Sequence, residues 1–373
     1  MGELDELLRE AALHRAQADR QGALDAATLT RLVDSPFTEA HAAVEPARNG
    51  SSSLSDLIGA VADLATRCPS AAWVAGVFAS ASYAASYLAP PGRAAVWRSG
   101  PRAPISAALV TAGEAELTDG GRSVEVSGAW DYVTAADSAD FVLVATKLNA
   151  RGNGTATDLI ACLPRDLVEI TETWSGIGMR ATASHSIRAE RATISRELTF
   201  RKTLLDQPRP DYPLAVPLRA IAPLFLAAPI VGAAEALRQL WLAEVRRRYA
   251  SQKALAAAPD AKAVWETTAR VTAELDLASR LVRPRLGTSP RALVAQGPHD
   301  AAVAAQLASS AAALLVRELG TAAWIAGSEA ERLWRDIQTA ASHGTLRWRT
   351  KAPAVAELEL WGEEPAQEGR AYV

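Results

Sequence analysis

The chain has 373 residues, of which 49% are apolar and 22% charged, with a formal net charge of −3. Such a length and balance fit a globular protein with a large core and two or three domains. No clustered run of Lys and Arg marks a nucleic-acid surface. Cys68 and Cys162 have no second Cys or His at ligand spacing, which argues against a zinc site; both read as small buried hydrophobes.

The acidic start, Met1 to Asp5, has the wrong texture for a secretory signal, so the expected compartment is the cytoplasm, with reduced thiols. Leu4, Leu7, Leu8, Ala11 and Ala12 recur at helical spacing, and Gly22 is a plausible stop. A second helix is expected over Ser53 to Ala65. A third opens at Pro69 and carries Trp73, Phe78, Tyr83 and Tyr87. From about Ile105 to Phe200 the pattern turns to alternation and β-branched residues, in Val124 to Val126, Phe141 to Val144, Asp158 to Ile160 and Ile187 to Leu198. Turn clusters at Asp119 to Gly121 and Arg151 to Gly154 separate these runs, and their short spacing predicts antiparallel strands. Past the Pro-rich linker Gln207 to Pro213, long helices are expected at Ala220 to Tyr249, Asp260 to Val282, His299 to Leu319 and Ser328 to His343. The apolar run Ala220 to Ala234 is shorter than the ~20 residues a bilayer span needs. Pro223 and Pro229 interrupt it, so it reads as a core helix and no membrane partner is expected.

Four segments carry a family resemblance. Trp174 to Ser184, read W-S-G-I-G-M-R-A-T-A-S, resembles the "W…GMRGTGS" stretch of flavin-dependent monooxygenases built on the acyl-CoA dehydrogenase fold, with Ala181 and Ala183 replacing the usual glycines. Ser127 to Ala135 resembles the family's "SGxWxFxSG" segment, with Thr134 at the serine that faces flavin N5 or O4 and Ala135 at the glycine. Read from the residues alone, Trp130 and Tyr132 are two apart and share one face of a strand. Glu329 to Asp336, followed by Ser342 to Thr345, resembles the "ERxxRD…H" helix; Gly344 stands where true dehydrogenases place the glutamate base. Arg67 to Val74 resembles the "CPSxxWV" helix start, but Ala79 to Ser82 lacks the histidine that many members carry there.

The resemblance implies an α+β, acyl-CoA dehydrogenase-like architecture: an N-terminal α-helical domain (1–104), a central antiparallel, barrel-like β domain (105–208) and a C-terminal four-helix bundle (209–373). It also implies an oxygenase that takes reduced FAD or FMN from a separate flavin reductase. O2 then forms a C4a-(hydro)peroxide, which oxygenates a small aromatic or biosynthetic-intermediate substrate. His343 and Thr134 become the catalytic candidates, and Trp130, Thr134, Ala135, Arg180, Thr182 and Ser184 the flavin contacts. Arg283, Arg285 and Arg291 are phosphate candidates because guanidinium forks suit phosphate, although a solvated loop is the better reading for any single one of them. Trp73, Phe78, Ser82 and Trp324 are expected to line the substrate pocket. A dimer or tetramer and no metal complete the expectation. An acyl-CoA ester dehydrogenase, a CoA-ester oxygenase and a non-catalytic member of the fold stay open as alternatives.

Overall fold

The computed structural model describes residues 2–39, 54–149, 156–209, 216–285 and 289–362. The turn at 151–154, linker residues 210–213 and Gly287 lie outside these. Three acidic side chains in the first turn and Gly22 at φ 75° bound α1 (Glu3–Gln21). Asp25 caps α2 (Ala26–Val33) by accepting from the Thr28 N–H. Then follow α3 (Leu54–Ala65), α4 (Pro69–Ala85) and α5 (Pro90–Val96). Helix α4 is buried almost all round, which is why its apolar residues form no single stripe. It packs against α3, the strand β1 (Ile105–Ala108) and the long helix α6 (Leu218–Arg248). Gly76 makes the α4–α6 approach feasible, because a Cβ there would collide with the Phe225 carbonyl.

Strand β1 is followed by β2 (Glu114–Thr118), β3 (Ser123–Val133), β4 (Phe141–Leu148), β5 (Thr157–Pro164), β6 (Glu169–Thr171), β7 (His185–Ser195) and β8 (Thr199–Arg201). They form one sheet, ordered β6-β7-β3-β2-β4-β5-β8, with β1 also on β4. The sheet is mixed rather than purely antiparallel. β1 and β2 lie end to end along one edge of β4 and both run parallel to it. A parallel pair needs a crossover, and here β3 supplies the return path that a helix ordinarily provides.

After α6 come α7 (Gln252–Ala256), α8 (Ala261–Leu281), α9 (Pro290–Leu319), α10 (Glu329–Ala341) and α11 (Ala352–Trp361). Helix α9 starts at Pro290, capped by Ser289, instead of at His299. Pro298 sits inside it, as Pro223 and Pro229 sit inside α6, and the extensive α6–α9 packing holds both helices through their prolines. Helix α6 is long and apolar enough to cross a membrane, yet 78% of its most apolar window is buried inside the protein, the environment expected of a core helix. Cys68 and Cys162 are both buried free thiols; burial pushes Cys68 up to about 11 and Cys162 further up.

One knot joins helix α1, the loop 172–184 and helix α10. The buried Asp336 carboxylate accepts the Met179 N–H at 2.5 Å. Arg335 donates to the Ile177 carbonyl, to Glu331 and, at 3.0 Å, to Asp19 of α1. Arg180 donates through Nε to the Asp19 carbonyl at 2.8 Å, and Gly178 lies against the Arg335 carbonyl, where a side chain would not fit. Burial, opposed by the Met179 hydrogen bond and by Arg335 and Arg332, pushes the Asp336 carboxyl up to about 7. The folded state therefore binds this proton more tightly than the unfolded chain. Its contribution to stability is complete below the ordinary carboxylate range and is lost as pH rises to about 7. Asp336→Asn should flatten that part of the melting-temperature profile between about pH 4 and 7, whereas Asp336→Ala should cost ~1–3 kcal/mol by orphaning the Met179 N–H. Thermal melts across that range check both, and an unchanged slope in Asp336→Asn refutes the assignment.

Candidate functional site

The register of β3 against β7 slips between Trp130 and Val133, so that β3 carries one extra residue there, and Tyr132 adopts φ 60°. The bulge breaks the period-two alternation that would put Trp130 and Tyr132 on one face. Trp130 is buried with its Nε1–H on the Ala145 carbonyl at 3.0 Å, a core residue rather than a flavin contact. Tyr132 is turned out, 74% exposed, and meets Trp174 edge to face at 6.2 Å. Val133 points inward, and Thr134 follows it, buried.

Three strained turns shape this region. Ala135 (φ 48°) and Ala183 (φ 44°) occupy the left-handed conformation that a glycine adopts without steric cost. These are two of the positions where alanine replaces the glycine of the resembled motifs. Met179 (φ 52°) makes the third and is held by Asp336. Ala135 is held by its N–H on the Thr182 carbonyl at 3.0 Å, and the Thr134 carbonyl accepts from Ser106 Oγ at 2.6 Å. His185 Nδ1 accepts from the Thr173 and Trp174 N–H groups, each at 3.2 Å, and anchors the start of the loop.

Around Thr134 the buried hydroxyls connect. Trp73 Nε1–H, from α4, donates to Thr134 Oγ1 at 3.2 Å; Thr134 Oγ1 lies 3.0 Å from Ser184 Oγ, and Ser184 Oγ 2.8 Å from Thr182 Oγ1. Thr182 Oγ1 donates to the Met179 carbonyl at 2.9 Å. The other edge of the site is His343, just past α10, whose ring meets Trp73 edge to face at 5.5 Å. His343 is solvent-accessible and yet densely surrounded by protein, as a side chain lining a cleft is. That burial, aided by Lys351 and Arg347, holds its pKa below the usual imidazole value of 6.5. Nδ1 accepts the Thr345 N–H at 3.2 Å, so in the neutral ring the proton resides on Nε2.

The Trp73 indole touches both Thr134 and His343 and stands between them. Ser184, Thr182 and Ala135 join them; other candidates do not. Arg180 serves α1 through its Nε. Arg285 spends its fork on buried Asp300, at 2.6 and 3.1 Å, beside a small cavity of about 10 Å³ that Arg283 also lines. Phe78 is fully buried, and Ser82 donates to the Glu39 carbonyl at 2.6 Å. Trp324 packs on Trp334 at 5.2 Å, before the start of α10, whereas His343 follows its end. Its partner Trp334 stands nine residues before His343, a rise of about 13 Å along the helix. The wider cleft of about 490 Å³, between Arg98, Asp140 and Arg165, is lined by none of Trp73, Thr134 or His343. Tyr132 and Trp174 were not singled out as site residues from sequence; the bulge that exposes Tyr132 leaves no composition signal.

A reduced flavin fits the residues present. Thr134 Oγ1 keeps one hydrogen-bonding position, and the aromatic pair Tyr132–Trp174 offers open apolar ground two residues away along β3.

Comparison with known proteins is consistent with this geometry. Residues 224–348 match the family model described as acyl-CoA dehydrogenase, C-terminal domain. The chain is 24% identical over 302 residues to the flavin-dependent monooxygenase, oxygenase subunit HsaA, of Rhodococcus jostii, covering 76% of this chain and 78% of that one. In three dimensions it resembles XiaF from Streptomyces, solved with FADH2 and glycerol (TM-score 0.85, 19% identity, 97% of this chain and 95% of that one). It also resembles the dibenzothiophene monooxygenase TdsC from Paenibacillus, solved with FMN and indole (TM-score 0.78, 20% identity, 97% and 98% covered). The chain has the acyl-CoA dehydrogenase fold.

By relieving the turn strain, Ala135→Gly and Ala183→Gly should each raise stability by about 1 kcal/mol. Denaturant titration measures this, and a loss of stability in both would refute it.

Proposed function

We propose that this homologue of the flavin-dependent monooxygenases is the oxygenase component of a two-component system that oxygenates a small aromatic substrate. The observation that carries the reading is that one indole, Trp73, touches both the Thr134 hydroxyl and the His343 ring. A ligand bonded to Thr134 and one bonded to His343 would therefore be neighbours.

Bound reduced flavin supplies the electrons that activate O2 for transfer of one oxygen atom. The chain's own residues do the rest. Thr134 orients the polar edge of the ring, with Ala135, Thr182 and Ser184 fixing its turn, and Tyr132 and Trp174 give the ring apolar ground. His343 presents Nε2–H to an oxygen of the substrate. Lys351 and Arg347 beside it favour an acidic hydroxyl, such as a phenol, over a neutral alkyl group. The buried surroundings of Trp73 keep water from the reacting atoms. Since the compared structures carry FADH2 in one case and FMN in the other, either flavin is compatible. A separate reductase, a dimer or tetramer, and a cytoplasmic setting belong to the same reading.

The dehydrogenase alternative has less support. Gly344 occupies the place of the base, and among the described residues no carboxylate is hydrogen-bonded to Trp73, Thr134 or Ser184.

The test is rapid mixing of the protein, loaded anaerobically with chemically reduced FMN or FAD, with O2. A transient absorbance distinct from reduced and oxidised flavin is expected, shortened on the order of tenfold in Thr134→Val. His343→Asn should instead slow product formation with a phenol substrate by about a hundredfold or more. With His343 held below 6.5, the wild-type rate should fall only as pH drops beneath that value. Flavin oxidation as fast as in free solution would refute the oxygenase reading, and anaerobic bleaching of oxidised flavin by an acyl-CoA would establish the rival.

A further inference from the structure

The β6–β7 ladder ends at the pair Thr171–Ser186, so the N–H groups of the loop that follows β6 lie beyond it. Two of them, on the consecutive residues Thr173 and Trp174, converge on one atom, Nδ1 of His185, at 3.2 Å each. A ring nitrogen that accepts carries no proton, so the neutral ring holds its proton on Nε2. Ser186 reinforces the join. Its N–H donates to Thr173 Oγ1 at 3.0 Å, and its hydroxyl donates to Asp131, the residue before Tyr132, at 2.7 Å. The Trp174 indole is held separately, with Nε1–H on the Met179 carbonyl at 3.0 Å. Trp174 is thus fixed at its backbone by His185 and at its ring by Met179, and in that pose it meets Tyr132.

His185 also directly follows Ser184. Successive side chains along extended chain point to opposite sides. Ser184 is buried, 3.0 Å from the Thr134 hydroxyl, whereas the half-buried His185 turns to the loop. The His185 backbone pairs with Val133, the residue before Thr134. Two adjacent residues therefore reach both the hydroxyl edge of the site and its aromatic ground.

We infer that His185 is a positioning residue for flavin binding, which holds Trp174 against Tyr132 and keeps that pair in register with the Thr134 hydroxyl. The inference rests on the reading that the flavin ring lies on Tyr132 and Trp174 with its polar edge at Thr134. A ring bound at two places gains from both only while their spacing is fixed. His185 fixes it through the backbone of Trp174 and touches no part of the flavin.

Two variants separate the hydrogen bonds from the bulk of the ring. His185→Asn puts Oδ1 where Nδ1 stands and keeps an acceptor; His185→Leu keeps the volume and removes it. The first measurement needs no flavin: amide hydrogen exchange at Thr173 and Trp174 should quicken roughly three- to tenfold in His185→Leu and stay near wild type in His185→Asn. The second is Kd for chemically reduced FMN, followed anaerobically by tryptophan quenching and repeated with FAD. It should rise about three- to tenfold in His185→Leu, with His185→Asn close to wild type. In a Trp174→Ala background His185→Leu should cost no further affinity, because the imidazole acts through Trp174. Equal loss of affinity in both His185 variants overturns the inference, as does a loss that persists in full without the indole. Quickened exchange with an unchanged Kd overturns it too, leaving His185 a purely structural tie. A wild type that binds neither FMN nor FAD brings down the flavin reading and this inference with it, whereas binding that ignores His185 brings down the inference alone.

Discussion

A buried hydrogen bond, from the Met179 N–H to the Asp336 carboxylate, sits at the centre of the ties between the β half of the molecule and its helical half. Around it Arg335 reaches both the loop carbonyl of Ile177 and Asp19 of the first helix, so three distant stretches of chain meet at one point. The geometry of the site follows from this tie. Met179 offers its N–H to α10 and its carbonyl to Thr182, while Trp174 Nε1 donates to that same carbonyl at 3.0 Å. The segment that carries the Thr182 and Ser184 hydroxyls is thereby fixed to the helix that His343 follows. Two motifs that look independent in the sequence, the loop with its Gly-Met-Arg and the helix with its Arg-Asp, are two sides of one contact.

The second constraint is backbone strain. Tyr132, Ala135, Met179 and Ala183 all have positive φ, and none is glycine. Such conformations persist where surrounding bonds over-determine them, and they concentrate at functional sites. Here they do specific tasks. The turn at Tyr132 carries its ring out of the sheet, Ala135 bends the chain after Thr134, and Met179 and Ala183 bracket Thr182. The hydrogen bonds from Ala135 to Thr182 and from Met179 to Asp336 hold the chain in place at these turns.

Composition and period carried much of the architecture. Helices α1, α3, α4, α6, α8 and α10 lie within a few residues of where apolar spacing, prolines and caps put them, since those signals are local. The short α2 went unread because eight residues bury only Thr28 and Leu32. Helix α9 was cut short because Pro298 is a breaker in isolation and is tolerated only with α6 packed alongside. The parallel pairings of β1 and β2 with β4 escaped notice because strand direction is a property of the partner, not of the strand.

For the site, residue type and motif spacing were enough to bring Thr134, Ser184, Thr182 and His343 into consideration. Chemistry in a side chain is visible wherever the side chain is. Which of those groups touch was settled by long-range contact: Trp73 bridging Thr134 and His343, Arg285 taken by Asp300, Trp130 turned inward by a one-residue bulge. A bulge costs one residue of register and no change in composition, so alternation along β3 reads the same with or without it. The contact that holds the loop at Met179 lies still further from the letters. It is made by the Asp336 carboxylate, 157 residues away in the chain, which accepts the Met179 N–H.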